Sequence, residues 1–350
     1  MPAPYRRPGS VGVIVTVLND PRVVRTVESL RTQTRRPDAI IVADGSPGSD
    51  VESRVRDAFP NDPIVVYRRA PGTIAESRNQ ALRELDTEFV AFLDADEVAP
   101  PGWLATLLEP FTDPGIGFVG GPTPALDGTV RTRAAQYYDG YLRRFYDTVA
   151  RRRPHALPMG NSAWRMALFD RLGLLDTTLF PRASSEDQEF AVRALAVGVR
   201  GVYRPEAFVW HDYTGLTLTA LLRKQSLYAI GGYVVWRRLG TTYEASGAAV
   251  APYLLPPALL VVGAVVAAVP SLAVVGAVLL AAGAVALGAV ALALWISGRR
   301  LDRSYPGLRY RPLEILRRWA TIVGAARGFA RYDARGAPRR RSNDTASSKR

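Results

Sequence analysis

The chain contains no cysteine among its 350 residues, and histidine occurs only twice. The absence of cysteine excludes a disulfide framework and any metal site built from thiolates. The first ten residues contain no apolar run of the kind found in secretory signal peptides, so we expect no signal peptide. Both absences are consistent with a catalytic part that lies in the cytoplasm.

Charged side chains are also missing from one long stretch. The 54 residues between Glu244 and Arg299 carry no charge and are rich in Ala, Val, Leu and Gly. A membrane-spanning helix needs about 20 apolar residues, so this stretch is long enough for two. Pro270 lies near its middle, where a break is expected. We therefore predict a two-helix transmembrane hairpin over residues 249–297. The alternative is a buried helical hairpin in a soluble protein, but such helices seldom lack charge on every face.

The formal net charge of +13 is concentrated behind this stretch. From Arg299 onward, 15 Lys and Arg oppose 4 Asp and Glu, a net of +11, which leaves +2 for the first 298 residues. Such a tail could bind nucleic acid or an anionic membrane. The adjacent apolar stretch favours anionic membrane lipids and argues against nucleic acid. Because two spans return the chain to its starting side, the Arg excess places both ends in the cytoplasm. We expect a multi-pass protein of the cytoplasmic membrane.

Two segments that flank the predicted hairpin mix apolar residues with Arg. Residues 216–248 and 298–333 are both predicted to form interfacial amphipathic segments. For the first of them, an ordinary amphipathic helix packed on a core explains the pattern equally well. Residues 334–350 are rich in Arg, Ser and Pro, which predicts a disordered basic tail.

Strand-like and helix-like stretches alternate through residues 11–100, within a predicted catalytic domain of residues 1–215. This alternation predicts an α/β fold, a doubly wound, mostly parallel sheet. Ligands of such sheets bind beyond the carboxyl ends of the strands. Four acids follow predicted strand ends, and gathering their like charges costs stability unless a cation or ligand uses them. They are Asp20, Asp44, Asp94 and Asp96.

The pair Asp94 and Asp96 follows the strand-like run FVAFL. Two carboxylates at a strand end can face one divalent ion, and magnesium in proteins is commonly held by one or two carboxylates together with substrate phosphates. An Asp-x-Asp triplet occurs about once by chance in a chain of this size, so its position after a buried strand is the informative feature.

Five residues, Asp44 among them, each have a functional and an ordinary interpretation. Asp44 could accept hydrogen bonds from a base or ribose, or form a simple Asp-Gly turn. Arg78 could reach a diphosphate, or lie on the surface. Adjacent acids at a helix start, Glu186 and Asp187, could be catalytic or could cap the helix. His211 follows a strand-like run and could ligate a metal, although a lone histidine is usually structural.

The order of these pieces resembles the inverting enzymes of glycosyltransferase family 2, which have the GT-A fold. The resemblance covers about residues 10–215. It rests on Asn19-Asp20, Asp44-Gly45-Ser46, Ser77-Arg78-Asn79, FVAFLDADE, Met159 to Trp164, Leu172 to Asp176 and Glu186-Asp187. It implies metal-dependent transfer of a sugar from a nucleotide-diphosphate sugar. The expected acceptor is a hydroxyl, and the predicted membrane hairpin and basic tail suggest that it belongs to a lipid-linked or membrane-proximal glycan.

The resemblance also implies roles for individual residues. Asp187 or Glu186 would be the catalytic base. Asp94 and Asp96 would bind Mn²⁺ or Mg²⁺, and His211 stands where galactofuranosyltransferase-like members complete this site with a histidine. The nucleotide sugar would be bound by Thr16, Asn19, Asp20, Asp44, Arg78 and Asp94.

Two features set this chain apart from other members. The Gln-x-x-Arg-Trp motif of processive synthases is missing, which favours single additions. The segment around Gly160 and Asn161 also differs from polyprenyl-phosphate mannose synthases. Two rival interpretations remain at this point. One is a polyprenyl-phosphate glycosyl synthase, whose phosphate acceptor needs no base, and the other is a non-catalytic, membrane-bound nucleotide-binding scaffold.

Overall fold

The computed structural model describes residues 6–178, 185–240, 247–300 and 310–332. The predicted disordered tail therefore lies outside the described residues. The strands are β1 Arg7–Val17, β2 Ala39–Asp44, β3 Val65–Arg69, β4 Thr87–Asp94, β5 Glu97–Val98, β6 Ile116–Gly120, β7 Asn161–Arg165, β8 Arg200–Tyr203 and β9 Trp210–His211. The α-helices are α1 Val23–Arg31, α2 Asp50–Ala58, α3 Ile74–Glu84, α4 Trp103–Leu108, α5 Arg133–Phe145, α6 Met166–Leu172, α7 Glu186–Ala196, α8 Leu218–Leu239, α9 Gly247–Ala267, α10 Ala273–Arg300 and α11 Arg311–Arg331.

Seven strands form the central sheet in the order β3-β2-β1-β4-β7-β6-β8. The first four are parallel, whereas β7 runs antiparallel to both of its neighbours. Thr16 is in register with Asp94, and Val17 is in register with Asp44. The carboxyl ends of β1, β2 and β4 therefore meet at one edge, as the predicted mostly parallel α/β fold requires.

Helices cover both faces of the sheet because the strands are apolar on both sides. Val13 and Val15 point to the face covered by α1, α2 and α4, whereas Ile14 between them points to the face covered by α3, α6 and α7. All three side chains are fully buried. The uninterrupted apolar run of β1 is typical of a central strand that is covered on both faces.

A third layer consists of α5, α8 and α11. Tyr137 and Tyr138 of α5 pack with Leu221 of α8 and Tyr310 at the start of α11. The α8 and α11 helices also pack along each other, and Gly324 lets them approach closely, because a Cβ there would lie 2.3 Å from the Ser226 carbonyl oxygen. The two segments predicted to be interfacial therefore each bury one face within the protein.

The outer faces of α8 and α11 carry exposed aromatic side chains. Trp236 is 47% exposed and Phe329 is 63% exposed. The Arg237 guanidinium lies 5.2 Å from the centre of the Trp236 ring. One face of each helix thus packs on the core, while the other keeps the aromatic and basic composition that predicted an interfacial position.

The α9 and α10 helices pack against each other and are joined by a 3₁₀ turn, Pro270–Leu272. Small residues form their contact, and at Gly276 a Cβ would lie 2.3 Å from the Ala267 nitrogen. Among the described residues, one segment is long and apolar enough to cross a membrane, Pro270–Val290, with mean hydropathy 2.4 and 11% of its most apolar part buried. The apolar part of α9, Leu255–Ala267, is shorter than a span.

Candidate active site

A pocket of about 160 Å³ opens where β4 ends, and the helices α3, α5, α7 and α8 contribute to its wall. Five of the predicted site residues line it: Arg78, Asp94, Glu186, Asp187 and His211. They come from α3, β4, the start of α7 and β9. Thr16 and Asp96 lie directly behind the pocket, whereas Asn19, Asp20 and Asp44 lie along the strand ends beside it.

Asp94 is the last residue of β4, and 40% of its side chain is exposed. Its Oδ1 atom accepts hydrogen bonds from Thr16 Oγ1 at 3.3 Å and from Arg78 Nη2 at 3.2 Å. Gly160 lies against the other oxygen, because a Cβ at Gly160 would be 2.4 Å from Asp94 Oδ2. A glycine at this position therefore leaves the Asp94 carboxylate accessible from the pocket.

Arg78 is buried, and its guanidinium joins two carboxylates. Its Nη1 atom donates to Glu186 Oε1 at 3.0 Å, and its Nη2 atom donates to Asp94 Oδ1. The side chains of Arg78 and Glu186 are 3% and 5% exposed. Glu186 is thus held in a buried ion pair, and removing its partner would leave a charge without compensation. Of the two predicted bases, Asp187 is the one that is not committed to a buried ion pair.

Asp187 is half-buried in the first turn of α7 and lines the pocket. Its Oδ2 atom accepts a hydrogen bond from the Met159 backbone nitrogen at 3.2 Å, and its Oδ1 atom accepts one from the Gln188 nitrogen at 2.8 Å. Backbone donors hold the carboxylate in place without neutralising its charge. Ser185, the preceding residue, has a left-handed backbone with φ of 66°, an uncommon conformation for a residue with a side chain.

The segment from Met159 to Trp164 connects the two carboxylates. Asn161 is fully buried, and it accepts a hydrogen bond from the Trp103 indole and donates to the Pro122 and Ala207 carbonyls. These bonds fix the start of β7. They place Gly160 against Asp94 and the Met159 N–H against Asp187. This part of the sequence pattern thus positions both catalytic candidates.

Asp96 and His211 are arranged to share a cation. The Asp96 Oδ2 atom lies 3.6 Å from His211 Nε2, which an ion about 2.1 Å from each atom could bridge. Burial lowers the pKa of His211, against the opposing effect of Asp96, so its imidazole is neutral at pH 7 and able to bind metal. Among the described residues, no group of three or more His, Cys, Asp or Glu side chains is arranged to hold an ion. Substrate oxygens would have to complete this site.

Arg22 is a residue that the sequence did not reveal as part of the site. Its guanidinium binds the Asp20 carboxylate at 2.5 Å and lies 3.6 Å from Asp96 and 3.5 Å from Asp212. Burial opposes ionisation of Asp20, but the hydrogen bonds from Arg22 outweigh it and lower the pKa. Asp20 therefore serves to hold Arg22 beside the metal-type pair. In the sequence, the one feature that pointed to Arg22 was its position two residues after Asp20.

Asp44 is fully buried at the end of β2, and both of its oxygens have partners. Oδ2 accepts a hydrogen bond from the Tyr67 hydroxyl at 2.7 Å, and Oδ1 accepts one from the Ser46 nitrogen at 2.8 Å. The Ser46 hydroxyl in turn accepts from the Asn19 nitrogen at 2.7 Å, where Asn19 has a φ of 54°. The turn-forming interpretation of Asp44 accounts for these contacts, and contact with a nucleobase would require Tyr67 to move.

Comparison with known proteins finds a family match for the part of the chain that contains most of the sheet. The sequence of residues 12–172 matches the family described as glycosyl transferase family 2. Residues 12–172 are thus similar to a glycosyltransferase family 2 domain. They include β1 to β4, Arg78, both acids of the Asp94 pair, and Gly160.

Two kinds of relative extend beyond this domain. The pre-mycofactocin glycosyltransferases of two Mycobacterium tuberculosis strains are 30% identical over 210 residues, which is 58% of this chain and 43% of theirs. The chain thus spans less than half the length of these relatives. A mannosyltransferase, PcManGT from Pyrobaculum calidifontis, was solved in complex with GDP-Man and Mn²⁺. It shares the fold with a TM-score of 0.62 and 21% identity, over 93% of this chain and 87% of its own.

The remaining wall of the pocket comes from α5, which lies within residues 12–172, and from α8, which lies beyond them. It consists of aromatic side chains from α5 and α8, including Tyr138, Tyr141 and Tyr228. Lys224 of α8 lies among them, with its ammonium 5.5 Å from the Tyr138 ring centre and 5.8 Å from that of Tyr228. These residues were not predicted as part of the site from the sequence, because α8 was interpreted only from its amphipathic pattern.

Proposed function

We propose that this chain is an inverting glycosyltransferase that moves a sugar from a nucleotide-diphosphate sugar to a hydroxyl of a lipid-linked or membrane-proximal glycan. The observation that carries the proposal is the pairing of two carboxylates across one pocket. Asp94 stands at the strand end with Arg78 beside it, and Asp187 lines the same pocket, where it accepts hydrogen bonds from two backbone nitrogens. Donor binding and proton removal thus have separate, pre-positioned groups.

The residues that line the pocket suggest how the donor and the acceptor bind and react. The donor lies along the strand ends, with its diphosphate near Arg78 and Asp94. The acceptor hydroxyl lies against Asp187, which takes its proton as the oxygen attacks the anomeric carbon. The bond from that carbon to the diphosphate breaks on the opposite side, so one displacement inverts the anomeric centre. Asp96 and His211, together with oxygens of the substrate, would hold a divalent ion, which when bound would supply positive charge for the diphosphate.

Unsatisfied polar groups beside Asp187 favour a hydroxyl-bearing acceptor. The Gln188 side chain is 2% exposed, and neither of its amide atoms has a hydrogen-bond partner among the described residues. The Ser185 hydroxyl, 6% exposed, likewise has none within the described part of the chain. Both residues line the pocket. Since buried polar groups without partners cost free energy, a ligand that carries hydroxyl groups would stabilise this wall.

A polyprenyl-phosphate glycosyl synthase is the second candidate function, because Lys224 gives the same pocket a cation that an acceptor phosphate could use. It differs in one testable respect, since an ionised phosphate attacks without losing a proton. A non-catalytic scaffold fits less well. It would have no use for an accessible carboxylate at Asp187 opposite Asp94.

We further propose that α9 and α10 both cross the cytoplasmic membrane, with the catalytic domain and the basic tail on the cytoplasmic side. The support is the exposure of large apolar side chains on both helices, among them Val265 at 67%, Val274 at 78% and Val285 at 73%. These side chains surround a contact made by small residues, as in membrane helix pairs. Anionic lipids would attract the Arg residues that follow α10.

The experiment that tests the function is a donor and metal screen on the detergent-solubilised full chain. A true donor stabilises the folded state by mass action, by about 2.7 kcal/mol at a concentration of 100 Kd. We expect one class of nucleotide-diphosphate sugar to raise the melting temperature in Mn²⁺ or Mg²⁺ and to lose this effect in EDTA. Transfer to a membrane glycolipid extract should give a product with an inverted anomeric centre. A retained configuration, or full transfer in excess chelator, would contradict the proposal.

A further inference from the structure

Lys224 is unusual because lysine is rare in this chain and because of the side chains that surround it. The chain contains 45 Lys and Arg residues, of which only Lys224 and Lys349 are lysines, and Lys349 lies outside the described residues. Lys224 lines the pocket from the second turn of α8. Among the described residues no carboxylate lies within salt-bridge distance of its ammonium, which instead faces the rings of Tyr138 and Tyr228.

The ammonium belongs to a residue that lines the same pocket as Asp94 and His211. The electrostatic effects of Tyr138 and Tyr228, and further that of Asp96, raise the pKa of Lys224 well above its usual value despite burial. Lys224 in turn contributes to lowering the pKa of His211, so the two side chains are close enough to interact. A half-buried cation that has no carboxylate within salt-bridge distance in the described part of the chain costs free energy, and an anionic ligand would offset that cost.

We propose that Lys224 is a phosphate-binding residue that holds the diphosphate of the donor, which rests on the function proposed above. During transfer the bond between the anomeric carbon and the diphosphate oxygen breaks, and its electron pair stays on that oxygen. The acceptor oxygen forms the new bond, and its proton passes to Asp187. Lys224 keeps its own proton throughout and neutralises the negative charge that builds up on the leaving diphosphate. A helix that follows residues 12–172 thus supplies part of the donor site.

The scarcity of lysine makes a direct experiment possible. Reductive methylation with ¹³C-formaldehyde labels only Lys224, Lys349 and the terminal amine of this chain. The variants Lys224→Arg and Lys349→Arg assign the signals. We expect Mg²⁺ with UDP or GDP to shift the Lys224 signal and to leave the Lys349 signal in place. A short prenyl monophosphate, the probe for an acceptor phosphate, should not shift it in the absence of nucleotide.

Calorimetry gives the second readout. Lys224→Met should weaken binding of the nucleoside diphosphate about tenfold or more, whereas the nucleoside alone should bind equally well to both forms. Lys224→Arg should keep most of the affinity, and Lys349→Met is the matched control that should not change it.

The outcomes separate this inference from the proposed function. If nucleoside diphosphate binds but neither moves the Lys224 signal nor loses affinity in Lys224→Met, the inference is wrong and the transferase function stands. A shift with the prenyl monophosphate alone would assign Lys224 to an acceptor phosphate and overturn the donor assignment. If no nucleotide binds any form of the protein, both proposals fail.

Discussion

Glu186 and Asp187 are adjacent acids with different surroundings. Glu186 is buried and paired with Arg78, whereas Asp187 faces the pocket and accepts two backbone hydrogen bonds. The sequence could place both at a helix start but could not separate them, because the distinction depends on Arg78, which lies 108 residues away. The packing of α3 against the start of α7 makes that distinction.

Replacing Asp187 tests the base assignment. Asp187→Asn keeps the shape of the side chain, but its single oxygen can accept from only one of the Met159 and Gln188 nitrogens, because an NH₂ group replaces the other acceptor. We expect nucleotide-sugar affinity to change little and the transfer rate to fall about 10³-fold or more, because an amide cannot take the acceptor proton. Calorimetry measures the first quantity and single-turnover transfer the second.

Asp139→Asn is the matched control for this variant. Asp139 also accepts a backbone hydrogen bond, from Ala125 at 3.1 Å, and it does not line the pocket. Its side chain is 14% exposed and pairs with Arg143 at 3.0 Å, away from the pocket, so this change should leave the transfer rate within a factor of about two of wild type. Near wild-type turnover by Asp187→Asn would favour the polyprenyl-phosphate synthase, whose acceptor needs no base.

At the scale of whole elements, β1 to β4 and α1 to α3 were predictable because each satisfies a local rule. The run VGVIVTVL is apolar on both faces, and Thr73 and Glu76 form the capping box that starts α3. The irregular region from 115 to 215 was not predictable in this way. There β7 enters the sheet antiparallel, and its position depends on the buried bonds of Asn161 rather than on periodicity.

The docking of α11 on α5 depends on a buried ionic cluster. Glu314 accepts a hydrogen bond from the Tyr137 hydroxyl and pairs with Arg317 at 3.1 Å, and Arg317 lies 4.2 Å from the centre of the Tyr141 ring. Burial opposes ionisation of Glu314, but Arg317 and its other partners lower the pKa from 4.5 to about 2. An amphipathic pattern alone cannot show that two of its charged residues face inward.

This lowered pKa predicts a pH-dependent contribution to stability. The ionised Glu314 stabilises the fold fully above pH 4.5, and the contribution is lost as the pH falls from 4.5 towards 2. Glu314→Gln should therefore lower the free energy of unfolding at pH 7 by at most about 3 kcal/mol, and by progressively less below pH 4.5. Denaturant unfolding at several pH values checks this. A difference between the two proteins that stays constant down to pH 3 would show that the lost side chain, and not its charge, matters.

The contact between α9 and α10 gives a second prediction for an element. Gly276 is buried against Ala267, whereas a Cβ at Gly288 on the same helix would meet no atom within 4 Å. Gly276→Leu should destabilise the helix pair by about 1–3 kcal/mol through overpacking, and Gly288→Leu should not. Melting temperatures in detergent compare the two. Equal melting temperatures would mean that the helices do not pack in this way.

For the whole molecule, the absence of cysteine allows the proposed topology to be tested with single introduced thiols. Ser271 is exposed in the turn between α9 and α10, and Ser53 is exposed on α2. In intact cells a membrane-impermeant maleimide should label Ser271→Cys and should label Ser53→Cys only after permeabilisation. Labelling of Ser53→Cys in intact cells would place the catalytic domain on the opposite side. Protection of Ser271→Cys under both conditions would indicate that α9 does not cross.

In the proposed membrane topology, the α8 helix sets the distance between the active-site pocket and the membrane surface. Lys224 in the pocket and Trp236 on the outer face lie on one continuous helix, Leu218–Leu239. Twelve residues separate them, a rise of about 18 Å along an α-helix. With Trp236 at the head-group boundary, the reacting hydroxyl stands no more than that distance above the membrane surface. Acceptors would then be selected by the distance of their terminal hydroxyl from the membrane surface. A glycan whose end reaches the pocket would be modified, whereas a shorter or a longer glycan would not.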